Sequence, residues 1–310
     1  MRILVSGSLA YDRIMSFPGS FSDHILPEKI HILNVCFLVD GLEEKFGGTA
    51  GNIAYCLKLL GEHPTIVASA GKDFAAYEAW LRHCGLPLDG IRHVNSEFTA
   101  GAYITTDRSD NQITGFNPGA MKYRAEYPID DCDPTETLAI VAPGNLEDMQ
   151  DYPRRYKAKG IPCIVDPGQN IPAFSSDQLI EMITGATYLV SNDYELQLIQ
   201  NTTKLTLAEI QNRAQTVITT LGENGSILRQ GASETQIAPC PVKDVKDPTG
   251  AGDAFRAGFL KGLTMGKSSV EAAKLGSVSA AYAVEHHGTQ EHHFTWSDFT
   301  ARYAAVFGPM

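Results

Sequence analysis

The sequence predicts an α/β protein: a three-layer αβα sandwich with a mostly parallel central sheet and a small β-sheet lid over a ligand cleft. Three observations carry this. From about residue 137 onward, short β-type runs alternate with helical patterns, the order that builds a parallel sheet covered on both faces. Two stretches, 13–46 and 96–118, break that rhythm with strand-like sequence and no following helix. No linker, repeat or low-complexity tract divides the 310 residues, so one domain spanning 1–310 with an appended lid is expected.

The elements follow from local patterns. Strands are expected at Ile3–Ser8, Thr65–Ser69, Leu138–Ala142, Pro162–Asp166, Tyr188–Ser191, Thr216–Thr220 and Ser226–Arg229. Ile53, Leu57 and Leu60 recur at helical spacing before Gly61, a residue suited to a helix C-terminus. Further helices are expected at Gln178–Thr184, Tyr194–Gln200, Leu207–Gln215, Asp253–Thr264 and Ser268–His286. In the lid, "HILNVCFLVDG" reads as a strand, and "TAGAYITTDRSDNQITGFNPG" as a hairpin turning at Arg108–Asn111.

Composition narrows the function classes. With 43% apolar and 20% charged residues, this is an ordinary globular composition. A net charge of -11 argues against a nucleic-acid partner, because a phosphate backbone demands a positive face. It leaves room for ATP, whose charge a local loop and magnesium can balance. The six cysteines (36, 56, 84, 132, 163 and 240) form no C-x-x-C pair and read as reduced thiols. The opening "MRILVSGSLAYD" is too short an apolar run for a signal peptide, and no stretch approaches membrane-spanning length. A cytoplasmic protein with no membrane partner is expected.

Chemistry concentrates in "DPTGAGDAFRAGFL". Ala254, Phe255, Gly258, Phe259 and Leu263 share a helical face, so Gly250, Ala251 and Gly252 present backbone N–H groups at a helix start. The loop lacks the lysine and hydroxyl of a Walker loop. Asp253 therefore reads either as a helix-start residue on a glycine turn or as a general base, kept ionised by the helix end beside an anion cradle. A second glycine motif, "FGGTAGNIAYCLKLLG", lies about 200 residues earlier with Gly71 after it. There Gly48 and Asn52 allow close approach to a polar ligand, or simply cap a helix.

Together the two motifs resemble those of the ribokinase-like (PfkB) carbohydrate kinase family. "SNDYE" supplies an N-x-x-E element as Asn192 and Glu195, "TTLGENG" resembles the ATP-holding segment, and "GSLAYD" the first strand and turn. Further segments, "GSLAYDRIMSFPGSF", "ILPEKIHILNVCFLVD", "NPGAM" and "DPGQN", resemble the bacterial adenosine and broad-specificity nucleoside kinases within that family. The resemblance implies a ribokinase-like fold and transfer of phosphate from ATP to the 5'-hydroxyl of a purine nucleoside, adenosine first, with inosine and guanosine beside it; a free-sugar kinase is the alternative.

By that resemblance Asp12 grips the ribose 2'- and 3'-hydroxyls with Gly48 and Asn52, and Asp253 is the base over the Gly250–Gly252 anion hole. Ser8, Cys36, Phe116, Gln169 and Asn170 surround the base or ribose, with small Ala102 making the pocket roomier. Asn192, Thr220, Leu221, Gly222, Glu223, Asn224, Gly225 and Gly252 hold ATP, and Glu195 holds Mg²⁺ through water. Arg256 reads equally as a charge near the phosphates or a surface ion pair. "EHHGTQEHH" (285–293) is expected as a surface or nucleotide-edge loop rather than a metal site, and with Asp247 as a candidate K⁺ site. Lid strands that pair between two chains would make a homodimer.

Overall fold

The computed structural model describes residues 1–310. Its strands are β1 Arg2–Ser6, β2 Ala10–Ser16, β3 Gly41–Gly47, β4 Thr65–Gly71, β5 Ile91–Val94, β6 Ala100–Thr106, β7 Gln112–Asn117, β8 Thr137–Val141, β9 Cys163–Val165, β10 Tyr188–Asn192, β11 Thr216–Thr220, β12 Ser226–Gln230 and β13 Ser233–Ile237. Its α-helices are α1 Thr49–Leu59, α2 Ala75–His83, α3 Leu146–Lys159, α4 Ser176–Ile183, α5 Asp193–Thr203, α6 Leu207–Gln211, α7 Ala251–Thr264, α8 Ser269–Val284 and α9 Trp296–Phe307.

Nine strands form one sheet in the order β13-β12-β11-β10-β9-β8-β1-β4-β5, parallel from β5 through β11 and antiparallel for β12 and β13. The central strands are apolar on both sides, as strands covered on both faces must be: β4 and β8 are buried throughout. One face carries α1, α2, α7, α8 and α9, and the other α3 to α6, each over its own apolar cluster. From β1 the chain winds outward to β5, then returns to lay β8 on the other side of β1. That reversal opens a crevice at the strand ends, the usual ligand position in open α/β sheets. Gly7 and Gly144, which follow β1 and β8, touch there.

A second sheet, in the order β3-β2-β6-β7, rises above the crevice. The two excursions pair into this one sheet, as expected, because β2 lies parallel to β6 and joins them. The expected strand in "HILNVCFLVDG" does not form. Residues 33–39 are irregular, with Leu33 and Leu38 exposed, and no neighbouring strand supplies ladder partners. Asp107 ties the β6–β7 turn through the N–H groups of Ser109 and Asn111. The helix expected at Leu207–Gln215 stops at Gln211. Beyond it, Arg213 and Gln215 exchange backbone bonds with Gly185 and Ala186 on the way into β11.

Helix starts are chemically marked: Ser175–Gln178, Asn192–Glu195, Thr206–Glu209, Ser268–Glu271 and Thr295–Asp298 each close a reciprocal capping box. At the centre of the α7 interface Phe259 is fully buried and meets the edge of Tyr188, ring centroids 5.0 Å apart. Truncation of Phe259 to alanine leaves a cavity beneath the site helix, and we expect a loss of about 3–5 kcal/mol. Urea unfolding checks this: the midpoint falls while the slope stays that of the parent.

Candidate active site

Two helix starts meet in the crevice. α1 begins after Gly48, whose φ of 87° and close approach to the Ser8 carbonyl leave no room for a side chain. α7 begins after Gly250, φ 79°, packed against Thr289. The N–H groups of Gly250 and Gly252 have no protein acceptor, whereas that of Ala251 turns back to the Pro248 carbonyl at 3.3 Å. The cradle is thus made mainly by the two glycines, with Ala251 loosely engaged.

Asp253 stands on the first turn of α7. Its carboxylate Oδ2 accepts from Asn52 Nδ2 at 2.8 Å, so the two glycine motifs, 201 residues apart, are joined by one hydrogen bond. The carboxyl lies deep among protein groups with an edge open to the crevice. Burial pushes its pKa up to about 6, against the pull of Arg256 and the Asn52 hydrogen bond; Glu195 adds to the rise. Burial thus acts against the helix end, which favours the ionised form. A carboxylate near 6 is still mostly ionised at neutral pH and is a stronger base than an exposed one.

Arg256 forms no surface pair. It is buried, with Nε 2.5 Å from Asp166 Oδ2 at the end of β9 but without hydrogen-bond alignment, so charge holds the pair. The guanidinium lies under Gly252. Burial raises Asp166 to about 6 despite Arg256, with Glu195 and Asp253 contributing in the same direction. Three carboxylates thus surround one guanidinium. Glu195 closes the capping box of α5, accepting from Asn192 N at 2.8 Å.

On the lid side, Asp12 packs over Gly47, and no protein group donates to it; burial and Asp247 raise its pKa. Asp12, Ala102 and Phe116 occupy one register row of β2, β6 and β7, so they share a face. Phe116 is 53% exposed, so its ring is not packed into a lid core. Ser8 is buried, its hydroxyl accepting from Thr49 N. Gln169 is exposed, while Asn170 donates to the Gly144 carbonyl at 3.2 Å. Cys36 lies exposed in the irregular 33–39 segment.

A cavity of about 450 Å³ opens beside the cradle, lined by Thr220, Gly222, Glu223 and Gly225 from the predicted segment and by Gly252. Leu221 and Asn224 complete that turn, and Asn192 ends the neighbouring β10. Sequence reasoning missed the other wall: Pro239, Cys240, Val242, Val245 and Pro248, with Ser277, Ala280, Ala281 and Val284 of α8. The signal was there, since small residues at helical spacing leave an empty groove along α8.

The 285–293 segment is a surface loop only in part, with His287, Glu291 and His293 exposed. Thr289, Gln290 and His292 are buried, and His292, held neutral by burial with a pKa near 4, faces the Cys56 thiol at 3.4 Å. No group of three or more His, Cys, Asp or Glu side chains is placed to hold a metal ion. Asp247 accepts from Thr249 N and Gly288 N, which joins the two parts of the candidate K⁺ region. No helix is long and apolar enough to cross a membrane.

Sheet order, crevice and paired glycine helix starts define a sugar-kinase-type α/β protein with the ribokinase-like fold. The family model for pfkB family carbohydrate kinases matches residues 19–295, and the chain belongs to that family. It is 37% identical to Burkholderia thailandensis nucleoside kinase in its solved complex with inosine, at a TM-score of 0.86 covering 99% of this chain and 98% of that one. A complex of the same protein with ADP-inosine superposes at 0.84 with 38% identity, covering 99% and 96%. The nucleoside kinase of Methanocaldococcus jannaschii is 29% identical over 277 residues, 89% of this chain and 91% of that protein.

Because the folded-state pKa of Asp253 exceeds the unfolded value of about 3.9, the native state binds the extra proton, and stability falls as pH rises from about 4 through 6. Asp253→Asn removes that cost. We expect the variant to be more stable than the parent at neutral pH by on the order of 1–2 kcal/mol, discounted for the open edge of the carboxyl. The gain should vanish below about pH 4. Thermal unfolding across pH measures it.

Proposed function

We propose that this chain is an ATP-dependent nucleoside kinase that phosphorylates the ribose 5'-hydroxyl of purine nucleosides, with Asp253 as general base. The observation that carries the reading is the Asn52–Asp253 hydrogen bond, which sets the base beside the glycine turn over which Asp12 packs. The similarity to nucleoside kinases, one solved with inosine, supports the substrate class.

Asp12 has two carboxylate oxygens that no protein group occupies, a match for a vicinal diol. A sugar held there directs its 5'-hydroxyl toward Asp253. The carboxylate takes the hydroxyl proton as the new O–P bond forms and the bond to the ADP leaving oxygen breaks. The free N–H groups of Gly250 and Gly252, at the positive end of α7, face the charge on the transferred phosphoryl group. The 450 Å³ cavity beside them suits the nucleotide donor.

The acidic groups fit a hydrated magnesium ion: Asp166 Oδ1 is buried without a partner, Glu195 lies near it, and both offer hard oxygen donors. Glu195 would hold Mg²⁺ through water, and when bound the ion supplies neutralising charge to the donor phosphates. The chain's own residues set the proton acceptor and the cradle.

The row Asp12–Ala102–Phe116 favours a nucleoside over a free sugar. The small residue leaves space between the diol clamp and an exposed ring, and a base can stack on that ring. Initial rates with ATP and adenosine, inosine, guanosine, ribose and fructose test this directly: nucleosides should lead, and turnover of free sugars alone would overturn the reading. Asp253→Asn should lose turnover by orders of magnitude while still binding nucleoside and ATP. Phe116→Ala should raise nucleoside KM by about 5- to 100-fold, the worth of one stacked base, and leave any reaction with ribose unchanged.

A further inference from the structure

Between Asp253 and the outer side of α2 runs an unbroken series of hydrogen bonds through the 285–293 segment. Trp80 Nε1 donates to Gln290 Oε1 at 2.8 Å. Gln290 Nε2 donates to Asn52 Oδ1 at 3.1 Å and to the Tyr77 hydroxyl at 2.6 Å. The Tyr77 hydroxyl in turn donates to the Gly47 carbonyl at 2.8 Å, and Asn52 Nδ2 donates to Asp253.

The direction of this series is forced from one end. An indole N–H can only donate, so Trp80 fixes Gln290 with its oxygen outward and both N–H groups inward. Those N–H groups fix the next amide in turn. Asn52 must show its oxygen to Gln290 and its nitrogen to Asp253. A Gln290 turned the other way would set Asn52 with its carbonyl against the carboxylate, acceptor against acceptor. Gln290, Tyr77 and Asn52 are 3%, 0% and 5% exposed, so the bonds form in a dry interior where an unmade one is costly. Gly51 makes room for the arrangement, since a Cβ there would fall 3.0 Å from Gln290 Nε2 and on the Tyr77 hydroxyl.

We propose that Gln290 is a positioning residue for phosphoryl transfer: anchored by Trp80, it holds the Asn52 amide with its N–H toward Asp253 and, through Tyr77, the Gly47 carbonyl under the acceptor sugar. The inference rests on Asp253 being the base. Four ionisable groups face or approach Asp253: Arg256 on its own helix, Glu195 at the start of α5, Cys56 on α1 and Asp166 after β9. Burial and Glu195 favour the protonated acid, whereas Arg256 and the Asn52 donor oppose them. Loss of the donor therefore moves the acid limb of the rate profile to higher pH.

The test is kcat and KM for inosine between about pH 5 and 9 for the parent, Gln290→Leu, Gln290→Glu, Trp80→Phe and Asp253→Asn. Gln290→Leu should lower kcat by about tenfold or more, leave KM within about threefold and raise the acid limb by about half a pH unit or more. Gln290→Glu keeps the acceptor for Trp80 but has no N–H to give Asn52, so it should not rescue. Trp80→Phe, at a half-buried position, should shift the limb in the same direction and carries the comparison if Gln290→Leu does not fold. An unmoved acid limb with parental kcat, or a loss confined to KM, overturns the proposal. Full turnover by Asp253→Asn would instead remove the base assignment itself; an inactive Asp253→Asn beside an unmoved Gln290→Leu overturns only the role of Gln290.

Discussion

The hydrogen bond from Asn52 to Asp253 is the constraint on which the site depends. It joins the first turns of α1 and α7, which the chain separates by most of its length and by the whole of β4 to β13. Each partner is fixed by its own helix start, and each start needs a glycine in a conformation that other residues avoid. Asp253, the glycine turn that opens α7 and the turn beneath Asp12 are therefore one rigid unit rather than three loops. Preorganisation of this kind lets electrostatics and positioning do most of the work in phosphoryl transfer.

Electrostatics explains why the unit tolerates so much acid. Asp166, Asp253 and Glu195 share the single guanidinium of Arg256 in a buried volume. Removing one partner of a buried pair strands the other, so Arg256 holds the site together as well as balancing it. The balance leaves a formal excess of negative charge beside the α7 start.

The sequence made the parallel sheet, the crevice and the two glycine starts legible because each is a local signal: alternation, spacing and helix-start chemistry. Asp253, Gly250, Gly252 and Asn52 could be named because glycine motifs mark where backbone approaches a ligand, whereas Asp12 came only from the family resemblance of "GSLAYD". What stayed hidden was long-range. Nothing local says that Gln290 reaches Asn52 or that Arg256 meets Asp166, since each contact spans elements far apart in the chain. The apolar run at 31–38 misled for the same reason, because a strand needs a partner and no neighbouring strand supplies one. The histidines of 285–293 drew attention by composition, while the glutamine between them holds the tertiary contact.

The protonation of Asp253 is the most direct test of this account. Carboxyl ¹³C NMR of aspartate-labelled protein, assigned by comparison with Asp253→Asn, follows that single group through pH. An aspartate titrating near 6 and absent from the variant is the predicted result. A midpoint in the ordinary carboxylate range of about 4 would contradict it, because the carboxyl would then be solvated and the joined helix starts would not enclose a base.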